Sequence, residues 1–241
     1  ELESTGDLYS EALEAGVRRF QDRHGLDVDG IIGKSTVRAL NASVDQRIRQ
    51  LEVNLERTRW VFDDIRDDYI LVNIAGFSAY VIRNSEIVWR TRVQVGKPYH
   101  KSPVFRDEMK YVVFNPTWTV PYSIATKEML PEIQGDPDYF AKRDFDVKDR
   151  NGKIVDPGAI DWSELSRRNF PYTLVQRPSV NNALGRIKFM FPNEHAVYLH
   201  DTPSKYLFGR AERAFSHGCI RVENPFDFAE VLLGADGWTQ Q

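Results

Sequence analysis

Ala196-Val197-Tyr198-Leu199-His200-Asp201 and, further on, Ser216-His217-Gly218-Cys219-Ile220-Arg221 decide how this chain of 241 residues is read. The first stretch predicts a β-strand over 196–200. Side chains alternate across a sheet, so Tyr198 and His200 share one face while His195, Val197 and Leu199 share the other. The second stretch holds the only cysteine of the sequence, with a glycine before it that can take strained backbone angles and an arginine two residues after. A free thiol has a pKa of about 8.5, so a reactive cysteine needs a histidine or a cation beside it. His200, His217 and Arg221 are the candidates. The 19 residues from His200 to Cys219 (219 − 200) are ample for a loop returning the thiol to the strand end, within hydrogen-bond reach of the imidazole. His217 is too close to be freely placed, and its backbone N–H suits an oxyanion hole with those of Gly218 and Cys219. A lone cysteine is more often buried and inert, but these neighbours favour a functional one.

Working outward, Tyr69–Ile74, Phe77–Arg83 and Glu86–Val95 are β-branched and aromatic runs separated by Ala75-Gly76 and Asn84-Ser85, the pattern of a meander. Tyr111–Phe114 and Trp118–Val120 are expected to continue that sheet across Asn115-Pro116, until Pro121 removes a ladder donor. Between Tyr122 and about Ser179 helix starts replace strand signals. Asp136-Pro137 reads as an N-cap with proline at the first helical position, and Asp161–Glu164 as a capping box. A mainly helical insertion here is a candidate lid, because long interruptions of a compact core often carry function. Strands resume at Ile187–Phe191. Asn224-Pro225 then opens a last helix expected to bury Phe226, Ala229, Val231, Leu232 and Leu233 and to end at Gly234, with Trp238 packing back.

The front of the chain is helical. Leu13, Val17 and Phe20 recur at helical spacing before His24-Gly25, and Thr36–Leu40 forms a short second helix ending near Asn41. Ser43–Gln46 is a capping box for a third helix reaching roughly to Trp60, whose Val44, Ile48, Leu51 and Leu55 lie on one face, so three helices are expected to bury one another's stripes. The expected fold is therefore α+β: a small three-helix domain over 1–62, then a mainly-β domain over 63–241 with its inserted lid at about 122–179.

With 41% hydrophobic and 12% aromatic residues, the chain can build packed cores. Its 32 basic and 35 acidic side chains nearly cancel, which argues against nucleic acid as a partner. No run approaches the roughly 20 apolar residues of a membrane span, and Glu1 follows neither an initiator Met nor a signal-peptide pattern, as expected of a processed or trimmed chain. One cysteine leaves no intrachain disulfide and does not settle the redox compartment.

The run His200-Asp201, a 15-residue interval from Asp201 to Phe215, then Ser216–Cys219 resembles the signature of the L,D-transpeptidase catalytic domain, the YkuD-like fold. Val95–Pro98, Asn115–Pro121, Leu184–Phe189 and Tyr198–Pro203 extend the resemblance over most of 69–233. The insertion after Pro121 resembles the capping subdomain of the large periplasmic branch, whose members usually continue past the last helix, so Gln241 is expected to be a trimmed end. Val17–Gln21, Gly25-Leu26, Asp29–Gly33 and Thr36–Asn41 resemble a partial helical peptidoglycan-binding domain.

The resemblance implies Cys219 as nucleophile, His200 as base, the Asp201 carbonyl orienting the imidazole, and His217 and Gly218 in support. It implies substrate contacts at Tyr198, Ser216, Arg221 and Trp118, although other branches carry asparagine at the position of Arg221. It further implies peptidoglycan stem peptides as substrate, 3→3 cross-links through a thioester with loss of D-alanine, carbapenem acylation of Cys219, no cofactor, a periplasmic or cell-envelope location and wall-synthesis proteins as possible partners. Competing classes are an L,D-carboxypeptidase using water, a non-catalytic wall-binding module, and a zinc peptidase built on His195, His200, His217 and Cys219. Strand alternation opposes the last by pointing His195 away from His200.

Overall fold

The structure is a computed structural model and describes residues 8–62, 68–136, 138–234 and 237. The Pro137 of the expected helix start and the packing of Trp238 lie outside the described residues. In chain order the elements are α1 (Glu11–Arg23), α2 (Lys34–Leu40), α3 (Val44–Phe62), β1 (Tyr69–Asn73), β2 (Ser78–Arg83), β3 (Glu86–Gly96), β4 (Tyr111–Phe114) and β5 (Trp118–Thr119). There follow α4 (Tyr122–Ile124), a π-helical turn (Ala125–Met129), α5 (Leu130–Gly135), β6 (Phe145–Lys148), β7 (Ile154–Val155), β8 (Thr173–Gln176) and β9 (Ile187–Met190). The chain closes with β10 (Leu199–His200), β11 (Ala214–Ser216), β12 (Ile220–Val222) and α6 (Pro225–Leu233).

Two compact units form: residues through Gln94 with Tyr206–Phe215, and Val95–Lys205 with the residues from Ser216 on. The expected division at 62 and 63 borders undescribed residues, and the compact units are not cut there.

In the first unit, the Ser10 hydroxyl caps α1 by accepting from Leu13 N at 3.3 Å. Ser43 and Gln46 form the reciprocal capping box at the start of α3, with bonds of 3.2 and 3.1 Å. The buried organiser is polar. Gln21, 1% exposed, donates to Asp29 Oδ1 and Ile31 O and accepts from Gly30 N, tying α1 to the turn before α2. The mutual burial expected of three apolar stripes does not occur: Val44, Ile48, Leu51 and Leu55 of α3 are exposed, from 47% to 74%. Periodicity fixes which face is apolar, not what covers it. β1, β2 and β3 form the expected antiparallel meander, and Asn84 and Ser85, both at positive φ, make the turn between β2 and β3 that matches strand twist.

In the second unit β4, β9, β10 and β12 lie side by side, antiparallel except for the parallel pair β10–β12. Ile187 and Phe189 of β9 and Val222 of β12 are fully buried, and the Phe189 ring lies 4.6 Å from Phe228 of α6. The helix buries Pro225, Phe228 and Ala229; Phe226 and Val231–Leu233, expected inside, are only half-buried. The strand expected over 196–200 is shorter. Ala196 takes φ 53° and the Asn193 side chain closes a turn on Phe191 O and Val197 O, leaving only Leu199–His200 as strand.

Two further expectations are corrected. Trp118-Thr119 does not extend the sheet of β4: Asn115, at φ 49°, precedes Pro116 where the chain leaves it, and β5 opens a second sheet in the order β5-β8-β6-β7. The insertion is still more helix than strand, but it also holds most of this second sheet, with Val147 and Leu174 fully buried at its centre. Asp161 caps only a single 3-10 turn, Trp162–Glu164.

Candidate active site

His200 ends β10 and is 3% exposed. Its Nδ1–H donates to the carbonyl of Asp201 at 2.5 Å. A carbonyl only accepts, so Nδ1 carries the proton in the neutral ring and Nε2 is left as the basic nitrogen. Burial and, after it, the charge of Arg221 depress the imidazole pKa to about 3, against the opposing pull of the Asp201 and Leu184 carbonyls. The ring is therefore neutral at any ordinary pH.

Asp201 is held in turn. Its carboxylate accepts from Arg186 N at 2.9 Å, with Lys205 3.7 Å away, and the residue is 3% exposed. Gly185 makes this fit possible: at φ 63°, a Cβ there would stand 2.4 Å from the Asp201 side chain. The carbonyl that orients His200 is thus fixed by a glycine sixteen positions before it in sequence (201 − 185).

Cys219 sits just ahead of β12, which runs parallel to β10 with Leu199 opposite Ile220. Its sulfur lies 3.9 Å from Ala196 O and interacts with the backbone and hydroxyl of Tyr198. Burial pushes the thiol above its ordinary value, while Tyr198, Lys188 and Arg221 all pull it down. Among the described residues no hydrogen bond joins Sγ to the imidazole. At rest, then, both the thiol and the ring are uncharged.

Tyr198 and His200 do share a face, with ring centroids 5.6 Å apart. Lys188, opposite His200 on β9, places its ammonium 3.8 Å from the centre of the Tyr198 ring. Burial lowers its pKa and the thiol raises it. Its role near the sulfur was invisible in the linear sequence, since only the β9–β10 register brings it there. His195 stays apart, its ring 4.9 Å from Phe105, and the described residues contain no cluster of three or more His, Cys, Asp or Glu suited to a metal.

The loop residues depart from expectation. The Ser216 hydroxyl donates to Cys219 O at 2.6 Å and accepts from Gly218 N at 3.0 Å, at 2% exposure. Ser216 therefore fastens the turn rather than facing a ligand, and the Gly218 N–H assigned to an oxyanion hole is already engaged. Gly218 needs its φ of 124°, which side-chain-bearing residues rarely adopt, and its carbonyl accepts from the Ser102 hydroxyl at 2.6 Å. His217 turns its ring outward: Nε2 lies 2.9 Å from Glu128 in the π-helical turn, and the His100 ring lies tilted against it at 5.0 Å. Glu128 ties the insertion to the cysteine loop across 89 positions, beyond the reach of any spacing rule.

Trp118 and Arg221 meet at a cavity of about 280 Å³, which Arg143 and Phe145 of the insertion and Thr202 also line. The cavity adjoins the chemistry through Arg221, whose charge acts on both Cys219 and His200.

The L,D-transpeptidase catalytic domain family (YkuD) matches residues 67–236, and the family described as "Putative peptidoglycan binding domain" matches residues 3–40. A Haemophilus influenzae protein named "Putative L,D-transpeptidase" is 36% identical over 192 residues, covering 80% of this chain and 38% of that protein. The chain thus spans well under half the length of this relative. No helix among the described residues is long and apolar enough to cross a membrane.

Proposed function

From its membership of the YkuD family of L,D-transpeptidase catalytic domains, we propose that this chain transfers the acyl group of a peptidoglycan stem peptide through a thioester on Cys219. In the proposed first step the sulfur attacks the carbonyl carbon of the third stem residue, a diamino acid, as His200 Nε2 takes the thiol proton. The negative charge that develops on the carbonyl oxygen falls to the His217 and Cys219 N–H groups, since Gly218 N–H is committed to Ser216. Collapse breaks the peptide bond and D-alanine leaves with the proton from His200. The side-chain amine of a second stem then attacks the thioester, restoring the thiol and forming a 3→3 cross-link. Water in its place gives L,D-carboxypeptidase activity.

What supports this most is the placement of His200: buried, with Nδ1–H given to the Asp201 carbonyl, so that Nε2 presents a lone pair able to accept a proton. An imidazolium could not. The peptidoglycan-binding match at 3–40 supports the same substrate, a cell-envelope setting, and a wall-directed helical part over 1–62 ahead of the catalytic part over 63–241.

The test is incubation with a disaccharide tetrapeptide, with mass spectrometry of the products. D-alanine release with dimers or tripeptide, lost in Cys219→Ala, is the expected result, together with a carbapenem adduct on the wild-type thiol only. Release that survives Cys219→Ala would overturn the assignment.

A further inference from the structure

The cavity shared by the insertion and the catalytic strands carries a charge pattern that the proposed chemistry leaves unused. Two guanidinium groups line it, Arg143 from the insertion and Arg221 from β12, and no acidic residue does. Arg143 is fixed in place: its guanidinium carbon lies 4.1 Å from the centre of the Tyr139 ring, a stack that orients a planar cation. Among the described residues its one ion pair, with Asp136, is long at 3.5 Å, and Lys142 claims the same carboxylate at 3.1 Å. Two cations thus share one carboxylate, and Arg143 retains donors in a fork suited to bidentate anion recognition. Trp118 and Phe145 supply apolar wall. A volume of about 280 Å³ is at the floor of the roughly 300–1,000 Å³ usual for small-ligand sites, enough for the end of a peptide rather than a whole one.

We propose that this cavity is a carboxylate subsite for a stem peptide, with Arg143 as the specificity-determining residue that the insertion contributes. Arg221 couples the subsite to the thiol, so a carboxylate seated there is held near the reacting centre. This rests on the stem-peptide reading above. Two carboxylates offer the same chemistry: that of the terminal D-alanine on the donor and, where the diamino acid is dicarboxylic, that of its side chain, present on donor and acceptor.

The experiment measures equilibrium binding, so it does not depend on turnover. The Cys219→Ala chain is titrated with a stem tetrapeptide, with the same peptide amidated at the D-alanine terminus, and with one amidated at the diamino acid. One amidation is expected to weaken binding about tenfold or more, the size of a lost charge-assisted hydrogen bond, and which one does so names the carboxylate. In Arg143→Gln combined with Cys219→Ala the free peptide should fall to the level of the amidated one, and the difference between them should vanish. Equal affinities for all three peptides, absence of measurable binding, or a difference that survives Arg143→Gln would each overturn the subsite. The amidated peptides test it even if that variant folds poorly. D-alanine release is assayed alongside on the wild-type chain. Its absence with the carboxylate preference intact would sink the transfer reaction and leave the subsite standing.

Discussion

Gln21 and His200 are both almost wholly buried, at 1% and 3% exposure, yet they belong to opposite kinds of site. Gln21 spends its amide within the helical region, donating to Asp29 and Ile31 and accepting from Gly30 N. His200 gives its Nδ1–H to the Asp201 carbonyl, with the Leu184 carbonyl also acting on the ring, and has Nε2 as its basic nitrogen. Burial alone therefore does not mark chemistry: a group whose valences are all satisfied is a staple, and one that keeps a basic lone pair is a candidate reagent.

Replacing the reagent should have the largest effect. His200→Gln is expected to slow carbapenem acylation of Cys219 by about 10²-fold or more, as for loss of a general base, with little loss of stability at neutral pH. Stopped-flow acylation rates check it, and an unchanged rate would move the base elsewhere. Gly185→Ala attacks the support rather than the base. A methyl group 2.4 Å from the Asp201 side chain must displace it, so acylation should fall by roughly tenfold, from misplacement of an oriented group, with a lowered melting temperature. Normal acylation in this variant would separate Asp201 from the positioning of His200.

Gln21→Ala inverts the pattern. It strands the buried Gly30 N and should cost about 1–3 kcal/mol of stability, read by urea unfolding, while acylation stays within twofold. A catalytic defect of the size seen for His200→Gln would erase the contrast drawn above.

Smaller effects follow from titration. His200 binds its proton only near pH 3 when folded but near 6.5 when unfolded, so between these values the unfolded chain holds more protons. Stability should then fall as pH drops through that window, and His200→Gln should flatten the slope in acid unfolding curves. The thiol is displaced upward, so alkylation of Cys219 by iodoacetamide should rise with pH to a midpoint above the usual 8.5 or so. A midpoint near or below neutrality would mean a preformed thiolate instead of a neutral pair.

Features set by neighbours in sequence were legible in advance. The Ser43–Gln46 box, the meander of β1 to β3 and the shared face of Tyr198 and His200 each follow from offsets of two to four residues or from simple alternation. The family signature was legible for the same reason, because its residues are spaced along one strand and one loop. Less local features were not. The exposed stripe of α3, the second sheet inside the insertion and the two-residue length of β10 each depend on what another segment does. So do the environments of Ser216 and Gly218, where hydrogen bonds within the turn replaced the expected contacts with ligand.

By itself, the sequence determined the class of chemistry available: one thiol, a histidine at a strand end, and the glycine that lets the chain turn between them and their support. The tertiary structure alone decided the charge states and the company they keep, by setting Lys188 over Tyr198, Glu128 against His217, and Arg143 in one cavity with Arg221. Side-chain identity travels with the chain, but desolvation and Coulomb energy depend on distances through space, and only the packed fold sets those.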